Sequence, residues 1–380
     1  MKNIVFVDAT HDYPLKYSAG NTKVEFMSRG LNMLGNKITI INSQNGTKNN
    51  HGIKVLHNSF SKSFLFPRKK YILNTILSNY ISLFIILRKL KKDEENFLIY
   101  DITKFYPFFV VVMSMAKLLG YKRIAIFHEW HKSFLVPAYR KWSYLLFDST
   151  FGYFVTGILP ISSYLLEKAS KFNKPMLKLP ALADFQENIK LPQIHKASYF
   201  LFCGHARFLR LISILLQAVK TTNSQSNIRV KLVLGGSSED IEKIQHEIQA
   251  LDLKNVEIYT SILYSTLMDL YKNALALVLP LSEVNLQDKA RFSQKIAEYL
   301  SSKRPIITVN VGVIQEYFKN RINAFICESL TPQELSSQFE LVMNNPGLAD
   351  EVGLRGFKLG LHKFDFRSNT KQLDTYLSNL

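Results

Sequence analysis

Ser293, Gln294, Lys295 and Glu298 fall within the stretch FSQKIAEYLSSKRPIIT, residues 292–308, in a spacing that suits a nucleotide. A short polar turn feeding a helix offers the backbone N–H groups of its first turn to an anion, because those groups lack partners within the helix. Glu298, about one turn further on, is placed to accept two hydrogen bonds from a diol such as a ribose. A helix Glu is also commonly a solvated charge. What favours the ligand reading is its position after a turn that should lie at the functional edge of a sheet. The helix is followed by a basic Pro turn and a strand expected over Pro305–Val309.

The elements around this block set that edge. Upstream, the sequence predicts a strand at Val256–Tyr259, a helix at Leu263–Lys272 and an apolar strand at Leu275–Leu279 closed by Pro280. Strands that are apolar without alternation, separated by helices, indicate a parallel sheet covered on both faces. Ligands of such sheets bind beyond the carboxyl ends of the strands, which places Ser282 to Lys295 where a ligand is expected.

The same alternation runs through the whole chain of 380 residues and gives two similar halves. The first half opens with a strand at Lys2–Val7 and a loop through Tyr17, Ser18, Ala19, Gly20 and Asn21. A helix at Thr22–Leu34 and a strand at Lys37–Ile41 follow. Further strands are expected at Phe97–Tyr100, Arg123–Phe127 and near Gly157–Pro160, with helices at Phe108–Leu119, Tyr139–Phe151 and Ser162–Ser170. After a connection at about 186–197, the second half has strands at Ser198–Cys203 and Arg229–Leu234. Its helices fall at Leu211–Lys220 and Ser238–Leu251, and a mostly helical close covers Thr331–Met343 and Leu348–Leu380. The expected fold class is α/β, with two Rossmann-like doubly wound domains and a cleft between them. The domains are placed at 1–190 and 196–365, with a C-terminal helix at about 366–380 able to pack back on the first.

Composition narrows the function classes. A hydrophobic content of 47% supplies two cores. Two cysteines, Cys203 and Cys327, sit in strand-like runs and look like core residues, not a disulfide framework or metal site, which suits a reducing, cytoplasmic compartment. The N-terminus does not look like a secretory signal. No apolar run matches the roughly 20 residues that span a bilayer.

The net charge of +18 is unevenly placed: residues 1–195 carry 27 Lys and Arg against 12 Asp and Glu, and the rest of the chain carries 21 against 18. Between Glu25 and Asp93 there are twelve basic residues and no acidic one, with clusters at Arg68, Lys69, Lys70 and at Arg88, Lys89, Lys91, Lys92. The aromatic and aliphatic run between the clusters reads as a basic amphipathic helix or helix pair. Two readings stand for segment 54–92: contact with an anionic membrane surface, or a core helix with solvated charges at its ends. Nucleic acid is disfavoured, since there is no zinc-finger spacing, no aromatic RNP pattern and no basic tail.

Taken in order, the phrases GNKITI, ILPISSYLLEKA, FCGHARFLR, NVEIYTSI, LMDLYKNALALVLP and KIAEYLSSKRPIITVNVG resemble the retaining glycosyltransferases of the GT-B fold, family-four type (glycosyl transferases group 1). The resemblance covers nearly the whole chain and is most specific over residues 255–317. It implies a second domain that binds a nucleotide-sugar donor, UDP- or GDP-linked, with Glu298 as the ribose contact. It also implies retention of anomeric configuration and a saccharide or lipid-linked acceptor, in cell-surface polysaccharide synthesis. The second Glu common in the family falls at Ala290 here, leaving Glu283 or Asp288 as substitutes from the loop.

The family's basic pair, which stabilises the leaving diphosphate, corresponds to Arg210, with Arg207 as the second choice; His205 follows Gly204 where an Arg is common, and Leu211 replaces a glycine. In the first domain Gly20 resembles the phosphate and acceptor loop. His128, in FHEWH, resembles the family's His near the reacting sugar, although a loop His that caps the next helix is an equal reading. Gly235 and Gly236 could line the nucleotide or simply turn the chain. Domain closure is expected to bring His128 and Gly20 over a donor held by Arg210, Ser293, Lys295 and Glu298. No metal or cofactor is expected, because basic groups can neutralise the diphosphate. Two other classes stay open: a non-catalytic saccharide-binding partner of the same fold, and a nucleotide-sugar epimerase.

Overall fold

The apolar runs form the central strands of two six-stranded parallel sheets, ordered β3-β2-β1-β4-β5-β6 and β12-β11-β10-β7-β8-β9. The computed structural model describes residues 1–7, 19–42, 53–58, 72–100, 106–133, 138–186, 199–223 and 228–380. These divide into one unit of Met1–Leu182 with Phe366–Leu380 and another of Ala183–Asp365. Tyr17, Ser18, the Arg68, Lys69, Lys70 cluster and all of the 186–197 connection except Gln186 lie outside the described residues.

The first unit runs β1 (Asn3–Val7), α1 (Ala19–Met33), β2 (Lys37–Asn42), β3 (Lys54–His57), α2 (Ile72–Leu90), β4 (Asn96–Tyr100), α3 (Tyr106–Leu118), β5 (Lys122–Phe127), α4 (Ala138–Thr150), β6 (Gly157–Pro160) and α5 (Ser163–Ser170). Strands β1 and β4 are buried along their whole length, which is why their sequences do not alternate. One face of the sheet, through Ile4, Phe6, Phe97 and Ile99, joins Val24, Met27 and Leu31 of α1 in a single core. On the other face Tyr100 meets the rings of Phe108 and Phe109 on α3.

The second unit runs β7 (Tyr199–His205), α6 (Leu209–Asn223), β8 (Arg229–Gly235), α7 (Ser238–Ala250), β9 (Val256–Tyr259), α8 (Tyr264–Lys272), β10 (Ala276–Leu279), α9 (Leu286–Ala290), α10 (Gln294–Ser301), β11 (Ile306–Val309), α11 (Val313–Tyr317), β12 (Phe325–Cys327), α12 (Pro332–Asn344) and α13 (Pro346–Lys363). The buried Arg304 of the basic Pro turn donates from Nε to the Lys272 carbonyl at 2.7 Å, pinning the end of α8 beneath β11.

The chain then returns as α14 (Phe366–Ser378) to the first unit. Phe366 stacks on Phe26 at 5.3 Å, and Asp374 accepts from Lys2 Nζ and Asn36 Nδ2, each at 2.8 Å. The Tyr376 hydroxyl donates to the Pro175 carbonyl at 2.8 Å.

Several boundaries differ from the sequence reading, in ways that bear on the site. Helix α1 starts at Ala19, so Gly20 and Asn21 lie in its first turn and not in a loop. Strand β7 continues through Gly204 and His205, which pair with Leu234 and Gly235 of β8, and α6 begins at Leu209. Arg210 is therefore a helical residue. Pairing with a neighbouring strand extended β7, a long-range gain invisible to local pattern. Within the basic segment, the described part of the aromatic and aliphatic run is one helix, α2, whose 19 residues contain neither Gly nor Pro.

Candidate active site

In the second sheet the chain steps one way from β7 through β8 to β9, then returns on the far side of β7 as β10, β11 and β12. The carboxyl ends of β7 and β10 therefore open a crevice where successive connections leave in opposite directions. Gly204, His205, Arg207 and Arg210 follow β7, and the segment from Ser282 to Lys295 follows β10. At Gly204 a Cβ would fall 2.3 Å from the Phe202 ring, so the strand end needs glycine there.

Helix α10 supplies the titratable pair. Ser293 occupies its N-cap without a side-chain cap bond, and Gln294 opens the helix. Glu298 is buried at 8% exposure, and Lys295 is half-buried. Burial pushes the Glu298 carboxyl up to about 7, against the opposing pull of the Lys295 ammonium and a hydrogen bond from Gln294. Burial likewise lowers Lys295 from its ordinary value, and the Arg291 charge adds to that, while Cys203 and Glu298 resist it. Behind the pair, the Cys203 backbone N–H donates to the Tyr299 hydroxyl at 3.1 Å, tying β7 to α10. The two cysteines are free thiols, both raised in pKa by burial.

The other cations gather around Phe208. The Arg207 guanidinium lies 4.9 Å from its ring centroid and that of Arg291 at 5.9 Å. The Arg207 backbone N–H donates to His205 Nδ1 at 3.2 Å. Burial, with the charges of Arg207 and Lys295 nearby, lowers the His205 imidazole below its ordinary value. Arg210 stands exposed on the first turn of α6. Among the candidates in this unit, Gly204, Arg207, Ser293, Gln294, Lys295 and Glu298 thus surround the β7 and β10 ends, with Arg210 at the rim.

Asp288 is bonded within its own turn. Its Oδ1 takes Arg291 Nη2 at 2.7 Å, and its Oδ2 accepts from the Ser282 N–H at 3.1 Å and from Asn285 Nδ2 at 3.3 Å. The carboxylate thereby closes the turn after β10 and steadies Arg291, a residue that sequence reasoning missed. Glu283 is exposed and Ala290 fully buried. Gly312 (φ 58°) seats this turn: a Cβ there would lie 2.7 Å from the Asp288 carbonyl and 2.9 Å from that of Lys289.

Gly20 and His128 belong to the first unit, at the start of α1 and just after β5. Burial, helped by the positive Lys23 and by His131, holds the His128 imidazole well below its usual value, so it is neutral at physiological pH. Lys23, on the second turn of α1, is buried beside it. His131 Nδ1 lies 2.9 Å from Asp148 Oδ1, and Asp148 Oδ2 accepts the Lys132 N–H at 2.7 Å. This second His and its aspartate were not singled out in the sequence. The repeated His of FHEWH was the available signal, while Asp148 gave none. Among the described residues, no group of three or more His, Cys, Asp and Glu is placed to hold a metal.

Two doubly wound units with parallel six-stranded sheets and crevices at their strand ends define the GT-B class of α/β proteins. Residues 184–358, almost the whole second unit, match the family model described as glycosyl transferases group 1. Solved structures share the fold across the chain. Sucrose-phosphate synthase from Thermosynechococcus elongatus superposes with a TM-score of 0.77 at 13% identity, over 99% of this chain and 98% of that one. HepE from Anabaena, in complex with UDP and glucose, gives 0.74 at 12%, over 100% of both chains. A glycosyltransferase from Rickettsia africae gives 0.70 at 15%, over 98% of this chain and 97% of that one. Comparison with curated protein sequences finds no significant match.

Proposed function

We propose that the protein is a glycosyltransferase that moves a sugar from a UDP- or GDP-linked donor to a saccharide or lipid-linked acceptor, in cell-surface polysaccharide synthesis. The observation that carries this reading is the pair on α10: a buried carboxyl at Glu298 and a cation at Lys295, at the strand-end crevice of the segment that matches glycosyl transferases group 1. Ionised Glu298 accepts the ribose diol, and the first turn of α10 with Lys295 takes a phosphate. UDP in the complex of the similarly folded HepE supports a nucleotide diphosphate as the ligand class.

Departure of the nucleotide diphosphate concentrates negative charge on its terminal phosphate. Fixed cations at that point stabilise the transition state more than the ground state. Arg210 and Arg207 are assigned this role, with Lys295 beside them; the same charges let the reaction proceed without a metal ion. Gly20 is assigned to the acceptor side. Neutral His128 can accept or donate one hydrogen bond at the reacting sugar. Retention of configuration, as in the family-four type, belongs to this reading.

We place the enzyme in the cytoplasm, at the inner face of a membrane, held peripherally through the basic segment 54–92. No described helix is long and apolar enough to cross a bilayer. Exposed Arg88 and Lys89 in the last turn of α2, with Lys91 and Lys92 just beyond it, supply the positive charge.

Calorimetric titration of the full chain with UDP and with GDP tests the donor site. One of the two should bind, and Glu298→Ala should weaken it about tenfold or more, the equivalent of ~1.4 kcal/mol or more. A protein that binds neither nucleotide would remove the donor assignment.

A further inference from the structure

Three helices of the first unit form one layer. The crossovers β3-α2-β4, β4-α3-β5 and β5-α4-β6 all step the same way across the sheet, so right-handed connections place α2, α3 and α4 on one face. Side chains confirm the layer: Tyr80 of α2 meets Phe108 of α3 at 5.8 Å, and Phe109 of α3 meets Phe147 of α4 at 5.1 Å. The Tyr106 N–H donates to Ser143 Oγ at 2.7 Å. Helix α1, whose crossover steps the opposite way, packs with α14 on the other face.

The solvent side of this layer is unusually apolar. Leu77, Ile81 and Ile85 recur every four residues along α2 at 60%, 51% and 45% exposure, a single stripe. Leu118 ends α3 at 81% exposure. Trp142 and Leu146 on α4 are 43% and 41% exposed, and Tyr153, in the 3-10 turn that follows, is 67% exposed. These seven are half of the fourteen large exposed hydrophobic side chains among the described residues, gathered on one side of one sheet.

Charge on the layer has one sign. Among described side chains the exposed ionisable groups of α2, α3 and α4 are Arg88, Lys89, Lys117 and Lys141. The only acidic residue in the three helices, Asp148, is buried against His131. Beyond α2, Lys91 and Lys92 continue the positive run before exposed Asp93, while Glu94 and Glu95 pair with Lys37 and Lys122.

Protein interfaces deplete lysine from their contact surface, whereas a bilayer surface favours this mixture: aliphatic side chains in the acyl boundary, Trp and Tyr at the headgroups, Lys and Arg at the phosphates. We propose that the outward faces of α2 and α4, joined through α3, dock together on an anionic phospholipid bilayer. This rests on the membrane-surface reading above and widens it from the basic segment to a second, aromatic helix.

Tryptophan fluorescence tests it, because the chain has only two, Trp130 and Trp142. Trp130 packs against Phe127 and Tyr164 and serves as an internal reference. The full chain is mixed with vesicles of phosphatidylcholine alone, or with 30% phosphatidylglycerol (about that fraction, to give a strong negative surface), with and without brominated acyl chains. The expected result is a blue shift and bromine quenching with the anionic vesicles only, weakened by salt. Trp142→Phe removes most of that change, and Ile81→Ser lowers apparent vesicle affinity severalfold.

Binding that leaves Trp142 unquenched overturns the proposal. So does equal binding to neutral vesicles, or no binding to anionic ones. A dimer in sedimentation that Ile81→Ser dissolves assigns the face to a second copy and overturns it too. UDP and GDP titration of the same preparation separates this failure from that of the donor site.

Discussion

Lys295 and Glu298 lie one turn apart on α10, and each opposes what burial does to the other: burial lifts the Glu298 carboxyl and the ammonium draws it back, the two together leaving it at about 7. A carboxyl in that state is ionised by a modest rise in pH or by the arrival of hydrogen-bond donors. A ribose diol supplies two such donors. Nucleotide affinity should therefore rise between pH 6 and pH 8 in the native protein and stay flat in Glu298→Gln, measured by calorimetry in buffers of matched ionic strength. A parallel pH dependence in the variant would assign the effect to another group.

The same shift has a consequence for stability, of opposite sign to the usual carboxylate. With a folded value of about 7 against an ordinary 4.5, Glu298 binds a proton in the folded chain that the unfolded chain has released, so its contribution falls as pH rises through that window. Glu298→Gln should flatten the decline of the urea midpoint between pH 5 and pH 8. If native and variant profiles decline in parallel, the carboxyl is not shifted upward.

Asp148 holds the loop after β5 by two bonds, to His131 Nδ1 and to the Lys132 N–H. Asp148→Ala removes the carboxylate that both groups share, at the buried His131 and at the exposed Lys132, and should cost ~1–3 kcal/mol. Urea denaturation reads this directly, and a loss below half a kcal/mol or so would show that water replaces the carboxylate.

Gly312 has φ 58° and no room for a Cβ against the Asp288 and Lys289 carbonyls. Gly312→Ala should cost ~1–3 kcal/mol and displace the turn that carries Arg291. A drop in nucleotide affinity accompanying the loss of stability is expected; stability lost with affinity intact would uncouple this turn from the site.

Deletion of residues 366–380 removes Phe366, Leu373 and Leu377 from the core of the first unit, each worth ~1.5–3 kcal/mol of burial. It also leaves Lys2 and Asn36 without Asp374. The truncated chain should lose cooperative unfolding of its first unit, visible as a missing phase in near-UV circular dichroism. A truncated protein with both transitions intact would contradict this.

Most of the fold was legible because both faces of each sheet are covered, which forces strands such as β1, from Ile4 onward, and β10 to be apolar. Gly35, whose φ of 83° suits glycine, follows the end of α1 and is a local stop signal of its own. Helix starts were harder to read. Arg210 looked like a loop cation because the start of α6 carries no acidic residue in its first turn, and no local signal announced that β7 runs on through His205 beside β8.

For the site, the residue types and their placement at strand ends were present in the sequence, since a turn, a helix start and a Glu one turn on are local features. Their ionisation was not, because it depends on what the chain brings near from far away. Burial decides the Glu298 carboxyl, burial with Lys23 and His131 weighs on His128, and Arg291 pairs with Asp288. The apolar stripe of α2 was likewise a core helix or a surface in the sequence. Only its packing on α3 showed which side chains face water, since periodicity defines a face but not what covers it.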